Sequence, residues 1–128
     1  MRLYLLPVCL LMFSSCGNEA PGEKVPDAPT AVPNSKDDGQ AIFRQYCASC
    51  HMLDNDATGP KLRGVLARWN DDPAKVKSFI RNATGMIASG DSLALQAQQR
   101  GRGGTMPAFP DLSDQQLDGL LDYFQNGR

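Results

Sequence analysis

Several things are missing from this 128-residue sequence, and each absence excludes something. No apolar run approaches the ~20 residues that a helix needs to cross a bilayer, so no segment reads as a membrane span. No long basic run occurs either. From Asp37 onward, three Lys and seven Arg stand against eleven Asp and no Glu, which leaves no electrostatic footprint for nucleic acid. No stretch alternates apolar and polar residues as a half-buried strand does, and there is no internal repeat. Histidine occurs once, at position 51.

What is present begins with a leader. Met1-Arg2 supplies one positive charge, an apolar stretch of about ten residues follows through Leu11-Met12-Phe13, and small residues come next, which is the layout of a secretion signal. Phe13-Ser14-Ser15-Cys16-Gly17 resembles a bacterial lipobox, with Phe13 where Leu is usual. On that reading, residues 1–15 are a lipoprotein signal peptide and Cys16 becomes the lipidated first residue; the alternative is a signal peptide without lipid. Residues 16–36 place Pro21, Pro26, Pro29 and Pro33 among small and polar residues and bury nothing, so they are expected to be a tether. Extended, it would reach on the order of 60 Å at ~3.1 Å per residue. The expected location is the bacterial cell envelope, periplasm-facing and membrane-anchored through Cys16, with the outer membrane preferred.

Residues 37–128 read as one all-α domain. A first helix over about 38–50 presents Ile42, Phe43, Tyr46 and Cys50 at near-helical spacing. A second opens at Asp72-Pro73, a cap followed by proline at the first helical position, with Val76, Phe79 and Ile80 on one face. A third, short one follows Asp91 and carries Leu93, Leu95 and Ala97. The last is the clearest: Ser113 and Gln116 form a capping-box pair, and Leu117, Leu120, Leu121 and Phe124 follow at helical spacing. Roughly 90 residues with loops this long are marginal on apolar burial alone. Something large and apolar is expected at the centre.

Cys47-Ala48-Ser49-Cys50-His51 supplies the candidate: it is the C-x-x-C-H attachment pattern for c-type haem. Positions i, i+3 and i+4 of a helix share a face, so two thiols can reach one porphyrin edge while the imidazole turns toward the iron. A thioredoxin-like redox pair would need alternating strands, which are absent. A structural zinc site takes about four ligands and comes up short with Cys47, Cys50 and the sole His. A plain disulfide in an exported domain is the remaining alternative.

Beyond the motif, the domain resembles the class I c-type cytochromes. Gly39 and Phe43 stand where that family packs its first helix against its last, and Leu120 and Tyr123 look like the answering pair. Gly59-Pro60 falls where the family places a proline whose carbonyl bonds the second nitrogen of the haem histidine; it also reads as a simple turn. For the sixth ligand, Met1 and Met12 belong to the leader and Met52 adjoins His51, which leaves Met86 and Met106. The run Thr105-Met106-Pro107-Ala108-Phe109-Pro110 resembles the family's Met-ligand loop, and Met86 reads as packing; an open or exchangeable site is the further alternative. Trp69 and Arg68 are candidates to meet a haem propionate, or to serve as packing and solvated charge. Lys61, Arg63, Arg100 and Arg102 flank the loops; they read first as a loose scatter of solvated charges, and the alternative is that they orient an acidic partner.

The resemblance thus implies a small cytochrome c-like helical domain wrapped around one covalent haem c held by Cys47 and Cys50. His51 and Met106 would be the metal ligands, and Pro60 and Trp69 would be further haem contacts. The expected function is one-electron transfer with redox protein partners, by a monomer that is no enzyme. Two alternatives stay open: a module or subunit feeding one envelope oxidoreductase, and a haem enzyme or gas sensor with an open sixth site.

Overall fold

The computed structural model describes residues 39–102 and 104–127. The expected signal over 1–15, the lipidation site Cys16 and the tether over 16–36 lie outside the described residues, as does position 37, where the domain was expected to start. Within the described residues the chain is helical and has no strand. Helix α1 starts as an α-helical turn, Gly39–Ile42, and widens into a π-helical segment, Phe43–Cys47. Then come α2, Val65–Arg68; α3, Pro73–Ala88; α4, Ser92–Arg100; and α5, Asp114–Asn126. No helix among the described residues is long and apolar enough to cross a membrane.

The frame is the packing of α1 on α5. A Cβ built on Gly39 would collide with the carbonyl of Gly119 and stand 3.1 Å from the Leu120 nitrogen. Only glycine lets the two backbones meet this closely. Ile42, Leu117 and Leu120 are fully buried at this contact, each contributing ~1.5–3 kcal/mol of apolar burial. One turn on, the Phe43 ring lies 5.3 Å from that of Tyr123 and meets Phe124 edge-on at 6.3 Å. The expected pairing of residues 39 and 43 with 120 and 123 is therefore found, with Gly119 added at the point of closest approach.

Local chemistry sets the other helices. Asp72 caps α3 by accepting from the Lys75 N–H at 3.1 Å, and Pro73 sits inside the first turn. Val76, Ile80 and Ala83 are buried, and Phe79 packs on Trp69 with ring centroids 5.0 Å apart. Two ion pairs, Lys77–Asp118 at 2.6 Å and Arg81–Asp114 at 3.0 Å, link α3 to α5. Asp91 caps α4 through the N–H groups of Leu93 and Ala94 at 2.9 and 3.0 Å. Ser113 and Gln116 form a reciprocal capping box on α5, with bonds of 3.3 and 2.8 Å, and Gly127 ends that helix at φ +67°.

At three points the structure corrects or adds to these expectations. The first helix stops at Cys47 rather than 50: the Ala48 N–H closes the last π-type bond, to the Phe43 carbonyl at 2.9 Å, and residues 48–50 form a turn. In α4 the buried residue is Ala94, with Leu93 and Ala97 half-buried and Leu95 exposed. A residue two positions from Leu93 lies on the opposite side of a 3.6-residue turn. Helix α2 was not anticipated. Its four residues are too few for periodicity to register, and they sit between Gly64 at φ +71° and Asn70-Asp71 at φ +56° and +54°, which read as loop.

Candidate functional site

The Cys47–His51 segment continues the end of α1 as a turn. The N–H groups of Cys50 and His51 both donate to the Cys47 carbonyl, at 3.1 and 2.9 Å. Those i→i+3 and i→i+4 bonds keep the helical face-sharing that the motif needs, although the regular helix has ended. Cys47 and Cys50 form no disulfide. Burial, followed by the neighbouring Cys50, pushes the Cys47 thiol up to about 12. A reactive redox cysteine shows the opposite shift.

The loop after His51 folds back on it in register. Gly59 N–H donates to the Cys50 carbonyl at 2.8 Å, Leu62 N–H to Met52 at 3.0 Å, and Arg63 N–H to Leu53 at 2.8 Å. This brings the Pro60 carbonyl to 2.8 Å from His51 Nδ1. A carbonyl can only accept, so Nδ1 carries a hydrogen, and in the neutral ring this leaves the lone pair on Nε2. Gly59 cradles the ring: a Cβ there would stand 2.7 Å from both ring nitrogens. Arg63, which sequence reading left at the rim, is instead structural. It pairs with Asp54 at 3.0 Å and donates to the Gln125 carbonyl at 2.6 Å, covering the C-terminal end of α5.

His51 opens onto a largely apolar cleft with about 1220 Å³ of empty space, part of it open to solvent. Cys47, Cys50, Pro60, Arg68, Trp69 and Met106 all line it. The sequence-predicted site residues of the described domain are thus brought together. Met86 packs against the core and does not line the cleft. Arg100 lines it as well. The Arg68 guanidinium donates to the carbonyls of Arg63 and Lys61 at 2.9 and 2.5 Å. Burial and then the charge of Arg100 hold its pKa below the usual arginine value. Among the described residues no cluster of three or more His, Cys, Asp or Glu could hold a metal ion.

The Met106 side is a loop, residues 101–102 and 104–112, tied at three points. Arg102 N–H donates to the Thr58 carbonyl at 3.0 Å, Phe109 N–H to the Ile80 carbonyl at 3.2 Å, and Arg81 donates twice to the Leu112 carbonyl at 3.2 and 3.0 Å. Phe109 also meets Tyr46 edge-on at 5.7 Å, joining this loop to α1. Sequence reading missed Tyr46 and Ile80 as supports of the loop. No local signal marks them, because the contacts are long-range.

Residues 34–124 match the family model described as cytochrome C oxidase, cbb3-type, subunit III. The chain belongs to this c-type cytochrome family. A solved structure, cytochrome c from Rhodothermus marinus, is 30% identical to it with a TM-score of 0.56, over 73% of this chain and 83% of that one. No curated protein matches. The all-α cytochrome c fold, and the covalently attached haem c that the family carries, follow from this membership. The site of this cytochrome fits such a group. A mostly apolar cleft that is lined by the C-x-x-C-H turn as well as by Trp69, Phe79, Ile80 and Met106 suits a large flat macrocycle.

Proposed function

We propose that this cytochrome is a one-electron carrier rather than an enzyme, with one haem c bonded to Cys47 and Cys50 and ligated by His51 and Met106. The observation that carries the reading is that His51 and Met106 line one cleft. His51 holds Nδ1–H on the Pro60 carbonyl and keeps Nε2 as a base, and Met106 lines the same cleft while Met86 does not. When bound, the haem iron supplies a one-electron ferrous/ferric couple, and Met/His ligation raises its reduction potential. The bond to Pro60 fixes the imidazole's tautomer and increases its basicity toward a metal. The apolar lining would face the porphyrin, and Pro107 and Pro110 limit the entropy lost in holding the methionine loop. Arg68 and Trp69 would meet the carboxylate side chains of the porphyrin. The domain operates at the bacterial cell envelope, periplasm-facing and with the outer membrane preferred. It hangs from a lipid on Cys16 through the proline-rich tether and meets donor and acceptor proteins as a monomer.

A second reading has one observation in its favour: the matching family model bears the name of an oxidase subunit. On that reading the domain feeds electrons to one fixed envelope oxidoreductase. Co-purification of a stoichiometric partner would support it. For the carrier, the test is the spectrum of the matured protein. A low-spin form with the oxidised iron–thioether charge-transfer band and no response to carbon monoxide is expected. A high-spin form that binds carbon monoxide readily would replace the carrier with a haem enzyme or gas sensor.

A further inference from the structure

Helix α3 contains a break that its sequence does not advertise. Asn82 has φ −154° and ψ +66°, outside helical values, with helical turns on both sides. Its side-chain oxygen accepts from the Gly85 N–H at 2.9 Å, three residues on. That is the geometry of an N-cap, so Asn82 starts a second run inside α3. A Cβ on Gly85 would stand within 2.8 Å of the Asn82 side chain, so residue 85 leaves room for this cap.

The break frees backbone groups on its N-terminal side. In an unbroken helix the Ile80 carbonyl would accept from Thr84 N–H. With Asn82 as a cap, the Thr84 N–H falls in a first turn, where amides have no helical partner, and the preceding carbonyls fall in a last turn. The carbonyl of Ile80, two residues before the break, instead accepts from Phe109 N–H at 3.2 Å. The next residue, Arg81, holds the Leu112 carbonyl with two bonds and Asp114 with a third at 3.0 Å. Both ties land on the chain just after Met106. Asn82 itself is exposed and touches neither the cleft nor the loop.

We propose that Asn82 is a positioning residue for the sixth ligand: by breaking α3 it presents the Ile80 carbonyl and the Arg81 guanidinium that hold the 107–112 stretch and keep Met106 over the cleft. Alanine at 82 restores a good helix former with no capping oxygen. The helix then competes for the Ile80 carbonyl, and the loop loses its hold.

This inference rests on Met106 being the axial ligand, and the experiment separates the two. The matured full-length protein is prepared as wild type, N82A, N82D and M106A. Each is examined for the iron–thioether charge-transfer band, for its affinity for added imidazole, and for amide hydrogen exchange at Phe109. In N82A the expected result is a weakened band, imidazole binding tightened about tenfold as the open form becomes populated, and faster Phe109 exchange. N82D, an equally good cap, retains wild-type behaviour. An N82A protein with an unchanged band and unchanged imidazole affinity, while M106A loses its band, overturns the proposal. A band that persists in M106A overturns the ligand assignment instead, and Phe109 exchange in N82A then decides whether the break holds the loop. Should N82A not fold, a wild-type Phe109 amide exchanging as fast as that of exposed Thr105 overturns the proposal as well.

Discussion

The two sides of the cleft are built differently. The His51 side is local: four bonds between residues 50–53 and 59–63, three of them between backbone groups, hold the imidazole within one short loop, with Gly59 closed over the ring. The Met106 side is non-local: its loop depends on Thr58, Ile80, Arg81 and Tyr46, contributed by three separate segments. A local clamp survives when distant parts of the fold loosen. A loop held from afar reports on all of them. The histidine side is therefore expected to be the last part of the site to give way, and the methionine side the first.

The largest expected effect removes the frame that both sides share. Leu120→Ala empties a fully buried position where α1 meets α5. It should cost about 2–5 kcal/mol in denaturant titrations, with both sides weakening together. Met106→Ala should break one side only: complete loss of the charge-transfer band and a new affinity for carbon monoxide, with far-UV helicity kept. Gly59→Ala attacks the other side by driving a methyl group into the imidazole. It should cost about 1–3 kcal/mol through overpacking, measured as a lowered unfolding midpoint, and perturb the His51 ring resonances.

The smallest effect sharpens the comparison by pH. Asp54 supports the histidine loop through Arg63, whose hydrogen bond is the main cause of its depressed pKa. Asp91 caps α4, which leads into the methionine loop; its pKa is depressed first by the Ala94 N–H and then by Lys75. A carboxyl whose folded pKa lies below its unfolded value adds stability above the unfolded value. That stability is lost as pH falls through the folded one. Both contributions should therefore be present at neutral pH and fade below about pH 4. Asp54→Asn should remove part of that acid sensitivity from the Arg63 contact alone, read by following the Arg63 side-chain resonances against pH.

Much of this architecture was legible in the sequence, because much of it is local. The capping box of Ser113 and Gln116, the Asp72-Pro73 start and the Asp91 cap are written within four residues each, and all three form. The C-x-x-C-H motif was readable from its spacing, whereas the Pro60 bond to His51 was expected only from the resemblance to the class I c-type cytochromes. The π-helical end of α1 was not. A register with one extra residue per turn leaves no mark in the apolar pattern of Ile42, Phe43 and Tyr46. Nor was the burial of Ala94 rather than Leu95 in the short α4, since nine residues give a weak apolar period. The break at Asn82 was missed because asparagine inside a helix announces a cap only once its bond to Gly85 is seen. Arg63 passed for a rim charge because its partner carbonyls lie some sixty residues away.

The contact of Gly39 with Gly119 has a consequence for how the chain folds. It joins residues about 80 positions apart and so closes almost the whole described domain into a ring. Closing a loop of that size costs roughly 4 kcal/mol of chain entropy before any contact within it forms. Long-range closures of this kind slow the search for the native state. The closing surface is made of Ile42, Phe43, Leu117, Leu120 and Tyr123, side chains that the polypeptide itself supplies. The meeting of the two end helices is therefore the expected slow step of folding, and the side chains that drive it come from the polypeptide.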